Sequence, residues 1–200
     1  IQINDLTTAH NYLEKSLQLK NELKDTVQLG VISTLFADIY MRRGEYAKAE
    51  QYYLKDIPKR LYQNNYEGLT ISFLGLADNY KAWGKTRDAE IYYLKALQAA
   101  ETIKRQRNIG LILLKLGELY RSIGQSDRAK AVFKRAIDNC TQVDSRSYQL
   151  NAYRNLYLMY KEDGNLPKAM EYLELLSAVQ DATAKEALEM KMEDMQAAFE

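Results

Sequence analysis

The sequence predicts an all-α fold, a right-handed superhelical solenoid of antiparallel helix hairpins. Three observations carry the prediction. The pattern Tyr-x-x-x-Gly-x-x-x-x-Ala recurs at a spacing of 40 residues, at Tyr40, Gly44 and Ala49; at Tyr80, Gly84 and Ala89; at Tyr120, Gly124 and Ala129; and at Tyr160, Gly164 and Ala169. Such self-similarity marks units that cannot bury their apolar faces alone and stack to do so. Apolar residues on both sides of each glycine follow the i, i+3/i+4 spacing of amphipathic helices. The chain holds only 2 Pro and 9 Gly, a scarcity that suits long helices joined by tight turns.

Each period reads as two helices. In the first, the helix before the glycine carries Ile32, Phe36, Ile39 and Tyr40 on one face, and the helix after it carries Tyr46, Ala49, Tyr53, Ile57 and Leu61. The glycine ends the first helix in a left-handed cap that costs it no steric strain. The small alanine lets the paired helices approach, and the repeat tyrosine fills the space beside it, its hydroxyl in need of a partner. Pro58 removes a helical hydrogen bond and is expected to bend or interrupt its helix.

These phases divide the chain into an array over 1–180, comprising a half repeat 1–24 and repeats at about 26–64, 66–104, 106–144 and 146–180. A C-terminal capping or linker helix follows over 181–200. There Ala184, Leu188, Met192, Met195 and Phe199 form a stripe, which would allow a homodimer through this helix. The first stretch matches the second helix of a repeat, and the last residues carry no helix stop. The chain therefore reads as a segment of a longer protein.

These residues resemble the tetratricopeptide repeat. The resemblance rests on the helix A pairs Phe36-Ala37, Leu76-Ala77 and Leu116-Gly117. It rests also on the repeat Tyr, Gly and Ala, the helix B aromatics Tyr53, Tyr93 and Phe133, and the later Ala96 and Ala136. The period is longer than that family's usual one, Asp56 stands where the later alanine is expected, and the fourth repeat is the most degenerate. The repeat length and the tail also resemble the input regions of bacterial signalling proteins such as sensor histidine kinases, diguanylate cyclases and helix-turn-helix regulators. That resemblance would put the chain in the cytoplasm or a bacterial periplasm.

Chemistry is scarce. The formal net charge is +1, which gives no electrostatic case for nucleic acid, and no apolar run is long enough to span a membrane. With 1 His and 1 Cys, neither a cysteine–histidine nucleophile nor a zinc site is expected. His10 reads as a surface or interface residue, and Cys140 as a small packed one. Carboxylate pairs such as Glu189 and Glu193 lie on solvated faces, and the glycines are isolated. No enzyme, cofactor or metal is expected.

The surface of the stacked helices A remains as the candidate site. The face opposite the repeat tyrosines carries Val31, Thr34, Asp38 and Met41, then Ile71, Leu74, Asp78 and Lys81, then Leu111, Leu114, Glu118 and Arg121, then Asn151, Arg154, Leu158 and Lys161. The family resemblance makes this the concave side. It implies a groove with Val31, Ile71, Leu74, Leu111 and Leu114 as an apolar floor, Asp38, Asp78 and Glu118 as an acidic ladder, and Lys81, Arg121, Arg154 and Lys161 as basic positions. Thr34 and Asp38 occupy places where a chaperone-tail carboxylate clamp needs other residues, which excludes that ligand. The alternative use of the charges is mutual pairing of Asp78 with Lys81 and of Glu118 with Arg121. Tyr52 and Tyr92, next to the core tyrosines, are expected to pack between neighbouring hairpins, and Trp83 either anchors a partner or covers its turn. Three functions follow: a module that binds a peptide or partner domain in the groove, a ligand-sensing input domain acting through the tail helix, or a structural and dimerisation spacer.

Overall fold

The computed structural model describes residues 3–22, 29–140 and 145–197. Among them lie nine helices and no strand: α1 (Ile3–Glu22), α2 (Leu29–Arg42), α3 (Tyr46–Tyr62), α4 (Tyr66–Ala82), α5 (Thr86–Thr102), α6 (Gln106–Ser122), α7 (Ser126–Cys140), α8 (Arg146–Glu162) and α9 (Leu166–Ala197). Contacts divide the chain into two units, 1–112 and 113–200. In the first, α1 packs on α2, α2 on α3, α3 on α4 and α4 on α5; in the second, α7 packs on α8 and α8 on α9.

The spacing Tyr-x-x-x-Gly has a hydrogen-bonding cause. In the turn after α4, the N–H of Lys85 donates to the Tyr80 carbonyl at 2.9 Å, and that of Gly84 to the Lys81 carbonyl at 3.1 Å. This is the Schellman pairing, in which the residue two past the helix end bonds back to the third-last helical carbonyl. Tyr40, Tyr120 and Tyr160 accept in the same way from Glu45, Gln125 and Asn165. The pairing needs a left-handed residue at the glycine position, and Gly44, Gly84, Gly124 and Gly164 have φ of 77°, 79°, 74° and 73°.

The turns between hairpins use the same device without glycine. The N–H of Asn65 donates to the Arg60 carbonyl and that of Arg105 to the Ala100 carbonyl. The left-handed residues are Asn64 and Lys104, with φ of 51° and 52°. Left-handed residues thus fall at 44, 64, 84, 104, 124 and 164, every twenty positions among the described residues. Helices α3, α4, α5, α6 and α8 are accordingly all 17 residues long. The structural period is the half repeat.

Packing follows from residue size. Ala49, Ala89 and Ala129 are fully buried in the first turn of each helix B. Tyr53, Tyr93 and Phe133 are the largest fully buried side chains. They need a thin neighbour, and helix A supplies it. A Cβ at Gly75 would lie 2.5 Å from the Tyr53 ring, and one at Gly117 2.6 Å from the Phe133 ring. The repeat tyrosines stack on their own helix B, Tyr40 on Tyr52 at 5.3 Å, Tyr80 on Tyr92 at 5.4 Å and Tyr160 on Tyr172 at 5.5 Å. Tyr52 and Tyr92 therefore pack within their hairpins as well, not merely between them. Where the third repeat has Val132, Arg128 covers Tyr120 instead, 4.0 Å from the ring centroid, and donates to its hydroxyl at 2.6 Å.

The hydroxyls of two repeat tyrosines reach the preceding helix B. Tyr80 bonds Glu50, and Tyr40 meets His10 Nε2 at 3.1 Å. His10 is thus an interface residue between α1 and α2. Trp83 is half-buried, stacked on Tyr80 and Tyr46 with Lys85 3.3 Å above its ring, so it covers the turn. Cys140 is buried.

Three expectations need correction. Pro58 does not interrupt α3, which runs on to Tyr62. Pro58 and Leu54 are both exposed, on the side of a helix where a carbonyl without a helical partner is least costly. Leu61, placed on the packed face, is 54% exposed, because it borders an open cleft between α3 and α5. Residues 181–197 are no separate helix: α9 continues through them from the last repeat, and side chains 180–193 are exposed, with Glu186 accepting from Arg146 of α8. Phe199 and the first residues of the array lie outside the described residues. No helix among those described is long and apolar enough to cross a membrane.

The non-glycine turns generate a prediction. A left-handed non-glycine residue costs about 1–2 kcal/mol, and glycine returns about 0.5–1 kcal/mol of that in unfolded-chain entropy. Lys104→Gly is expected to raise the melting temperature by roughly 1–3 °C, and Asn64→Gly by less, since asparagine tolerates this conformation. Calorimetry of both variants checks the order.

Candidate peptide-binding cleft

A cleft of about 400 Å³ opens on the helix A side of the first unit, between α2 and α4. Its walls carry Val31, Thr34, Leu35 and Asp38 from α2 and Ile71 from α4, and α3 supplies Asp56 and Arg60 beneath them. The amphipathic pattern of α2 explains the exposed wall. With Ile32, Phe36 and Ile39 buried, Val31 and Leu35 must face outward, and Asp38 is half-buried beside them. Val31, Ile71 and Leu35 remain 57%, 48% and 42% exposed.

The base of the cleft is an ion pair absent from the other repeats. Arg60 Nε donates to Asp56, its Nη1 donates to the Gly68 carbonyl, and its Nη2 reaches Thr34 Oγ1 at 3.4 Å. Both side chains are nearly buried, at 7% and 13% exposure. Room comes from two glycines: a Cβ on Gly68 would lie 2.7 Å from the guanidinium, and one on Gly30 2.8 Å from it. Asp56 stands where Ala96 and Ala136 occupy the later repeats, so the departure from the repeat pattern is this pair. A buried pair is held by its geometry and its hydrogen bonds, and breaking one partner leaves an uncompensated charge.

The acidic ladder has an internal role as well. Buried Tyr53 donates its hydroxyl to Asp38, and Tyr93 donates to Asp78 at 2.5 Å. The pattern persists by omission: where Phe133 replaces the tyrosine, the acid becomes Glu118, and where Leu173 replaces it, Leu158 stands opposite. The hydroxyl sets the acid. Burial pushes the Asp38 carboxyl above the usual carboxylate range, against the lowering effects of the Tyr53 hydroxyl and of Arg42. The nearby Asp78 charge adds to the rise. Burial, with the same acid beside it, also pushes the Tyr53 phenol up.

Of the predicted groove residues in the first unit, Val31, Asp38 and Ile71 line the cleft. Leu74, Asp78 and Leu111 are half-buried and Lys81 is exposed. In the second unit Leu114 is only 5% exposed, so it belongs to the packed interior rather than to an open apolar floor. Glu118, Arg154 and Lys161 are exposed. Arg121 directs its guanidinium to Asn155 at 3.1 Å and Glu162 at 2.7 Å, a tie from α6 to α8. The sequence reading missed Leu35, Asp56 and Arg60. Asp56 and Arg60 stand four apart where the later repeats have Ala96 and Ala100, and that was the available signal. Among the described residues no group of His, Cys, Asp and Glu is placed to hold a metal ion.

Models of the tetratricopeptide repeat match residues 35–61, 72–103 and 111–140. No curated protein matches the chain significantly in sequence. Several solved structures are similar. BtubC (BKLC) from P. vanneervenii has a TM-score of 0.78 at 24% identity, over 90% of this chain and 75% of that one. A putative kinesin light chain of nearly identical TPR-like repeats from Podosopora anserina has a TM-score of 0.71 at 17% identity, over 91% and 90%. A Rap protein complexed with competence and sporulation factor has a TM-score of 0.70 at 15% identity, over 88% and 49%. At these identities the similarity is one of fold, the all-α solenoid of helix hairpins.

Two predictions follow from the cleft. Asp56→Ala strands the buried guanidinium and is expected to cost about 3–5 kcal/mol. The double variant Asp56→Ala, Arg60→Leu is expected to recover most of that in urea unfolding. The second concerns pH. The folded state binds the Asp38 proton more tightly than the unfolded chain does, so its contribution is stabilising in acid. It is lost as pH rises through the raised folded value. Asp38→Asn keeps an acceptor for Tyr53 and removes that loss. Its melting temperature relative to wild type is expected to increase from about pH 3 to about pH 7; a constant difference would contradict the assignment.

Proposed function

Given that the chain is a tetratricopeptide repeat protein, we propose that it is a protein-interaction module without catalytic activity, with the α2–α4 cleft at the centre of a peptide-binding surface. The observation that carries this is the cleft itself. Three exposed apolar side chains, Val31, Leu35 and Ile71, surround a hollow of side-chain size above a neutralised ion pair. Exposed apolar patches with polar margins are where partners bind. Asp38 and Asp78, each held by a tyrosine, have fixed orientation and suit the polar or basic groups of a peptide. Lys59 and Glu67 at the mouth supply charges of both signs, which bear on association rate and register more than on affinity. A Rap protein of the same fold is described in complex with competence and sporulation factor, which supports a binding role. The ladder positions Leu74, Lys81, Leu111, Glu118, Arg121, Arg154 and Lys161 extend this proposed surface within their own units, while buried Leu114 supports it from beneath.

A second reading rests on α9. Because this helix continues unbroken from the last repeat to Ala197, a ligand that shifts the last hairpin also moves the tail. That continuity favours a sensing role as the regulatory part of a larger signalling protein.

The test uses peptides selected on the wild-type chain from a displayed random library. Val31→Glu with Ile71→Glu changes only exposed side chains and is expected to keep the melting temperature. It should weaken the selected peptides by tenfold or more in calorimetric titration. Undiminished binding would remove the cleft from the site.

A further inference from the structure

Helix α9 carries an uncovered apolar face along nearly its whole length. Its buried side, with Ala169, Tyr172 and Leu176, packs on α8. Roughly 110° round the helix, Leu166, Met170 and Leu173 are exposed, and so are Leu188, Met192 and Met195 in the tail. At 100° per residue these six fall within one arc of about 100°. Large apolar side chains in a continuous exposed row mark an interaction surface.

The first unit shows what covers this face elsewhere. Leu166, Met170 and Leu173 hold the repeat positions of Tyr46, Glu50 and Tyr53 in α3. There α4 lies antiparallel on them. Trp83 stacks on Tyr46, Tyr80 bonds Glu50, and Gly75, which has no Cβ, sits against the Tyr53 ring. Helix α4 can do so because α3 ends at Tyr62 and the chain turns back. Helix α9 makes no such turn and runs for 32 residues to Ala197, so no described segment folds back over the face. The start of α8 holds the tail in line: Arg146 donates through both Nη atoms to Glu186, on the side of α9 away from the open face.

We propose that two copies of the chain pair antiparallel through α9, the tail of each lying on Leu166, Met170 and Leu173 of the other as α4 lies on α3. In the register this sets, Leu166 meets Met192 of the other copy and Met170 meets Leu188. Leu173 meets Ala184, a small residue where Gly75 stands against Tyr53. Asp181, near the middle, meets the Ser177 hydroxyl. At one edge Glu174 faces Lys185, whose own partner Glu189 is 3.9 Å away, with both side chains open to water. At the other edge Lys191 lays its stem along Leu166 and keeps its ammonium in solvent. The occupant is a second copy because the row is complementary to itself in this register: large side chains meet at the ends, a small one meets Leu173, and each acid meets a base or a hydroxyl. A two-fold axis across α9 makes every contact twice over ~39 Å of helix and closes the pair without an open end. Both surfaces belong to one helix, so the pairing takes nothing from the first unit.

Light scattering over a range of concentrations and site-directed cross-linking test this together. The wild type is expected to reach twice the chain mass with rising concentration. Met170→Glu and Leu188→Glu, both at exposed positions, are each expected to weaken association at least tenfold at unchanged melting temperature. A Met170→Cys chain mixed with a Leu188→Cys chain is expected to be joined by a short bis-maleimide; the native Cys140 is buried and does not compete. The Leu188→Cys chain alone is expected to stay unlinked, since its two thiols lie ~27 Å apart in the antiparallel pair. A wild type monomeric at every concentration overturns the proposal. So does a dimer indifferent to Met170→Glu, or a Leu188→Cys chain that links to itself, the mark of parallel tails. Peptide binding at the α2–α4 cleft is a separate outcome, since none of these variants alters α2, α3 or α4.

Discussion

The left-handed turn every twenty residues is the constraint on which the rest depends. Each turn closes two Schellman hydrogen bonds and ends a helix at a set length. Helices of equal length, returned at equal intervals, place the same sequence positions at the same height in every hairpin. Only then can Ala49 and Ala89 mark close approaches and Tyr53 and Tyr93 fill equivalent holes. A shift of one residue in a helix's length would rotate its side chains by about 100° and face Asp38 or Asp78 away from its tyrosine. Glycine meets the constraint without cost in one class of turn, and asparagine and lysine meet it at some cost in the other.

Within that frame, the side chains form coupled sets rather than a list of contacts. A buried helix B tyrosine requires an acceptor, and a half-buried aspartate one helix away provides it. When the tyrosine becomes phenylalanine, the requirement lapses and the acid lengthens to Glu118. The same logic explains the first repeat's exception. Asp56 in place of alanine is tolerable because Arg60 neutralises it, and Arg60 fits because Gly30 and Gly68 lack a Cβ. Three departures from the repeat pattern, Asp56, Arg60 and Gly68, are therefore one feature, and it forms the base of the α2–α4 cleft. Packing that looks structural thereby shapes a candidate binding surface, since the same pair that fills the interior leaves Val31, Leu35 and Ile71 around an open hollow.

The sequence by itself determined the all-α class, the hairpin turns at the four glycines, and the buried alanines and helix B aromatics. These are local or periodic properties: a left-handed cap needs glycine, and a 3.6-residue period separates an inward from an outward face. It also showed which way Val31, Asp38 and Ile71 point. What it left undecided depends on distances between segments remote in the chain. Leu114 and Leu74 hold equivalent repeat positions, yet one is buried and the other half-buried, because exposure depends on the neighbouring helices rather than on the period. Pro58 carries the same local signal in a broken and an unbroken helix. Only the tertiary placement, with Pro58 on the exposed side of its helix, decided that α3 continues to Tyr62. The Asp56–Arg60 pair and both clefts are likewise tertiary facts. They arise where α2, α3, α4 and α5 meet, and no single helix encodes the width of the gap between its neighbours.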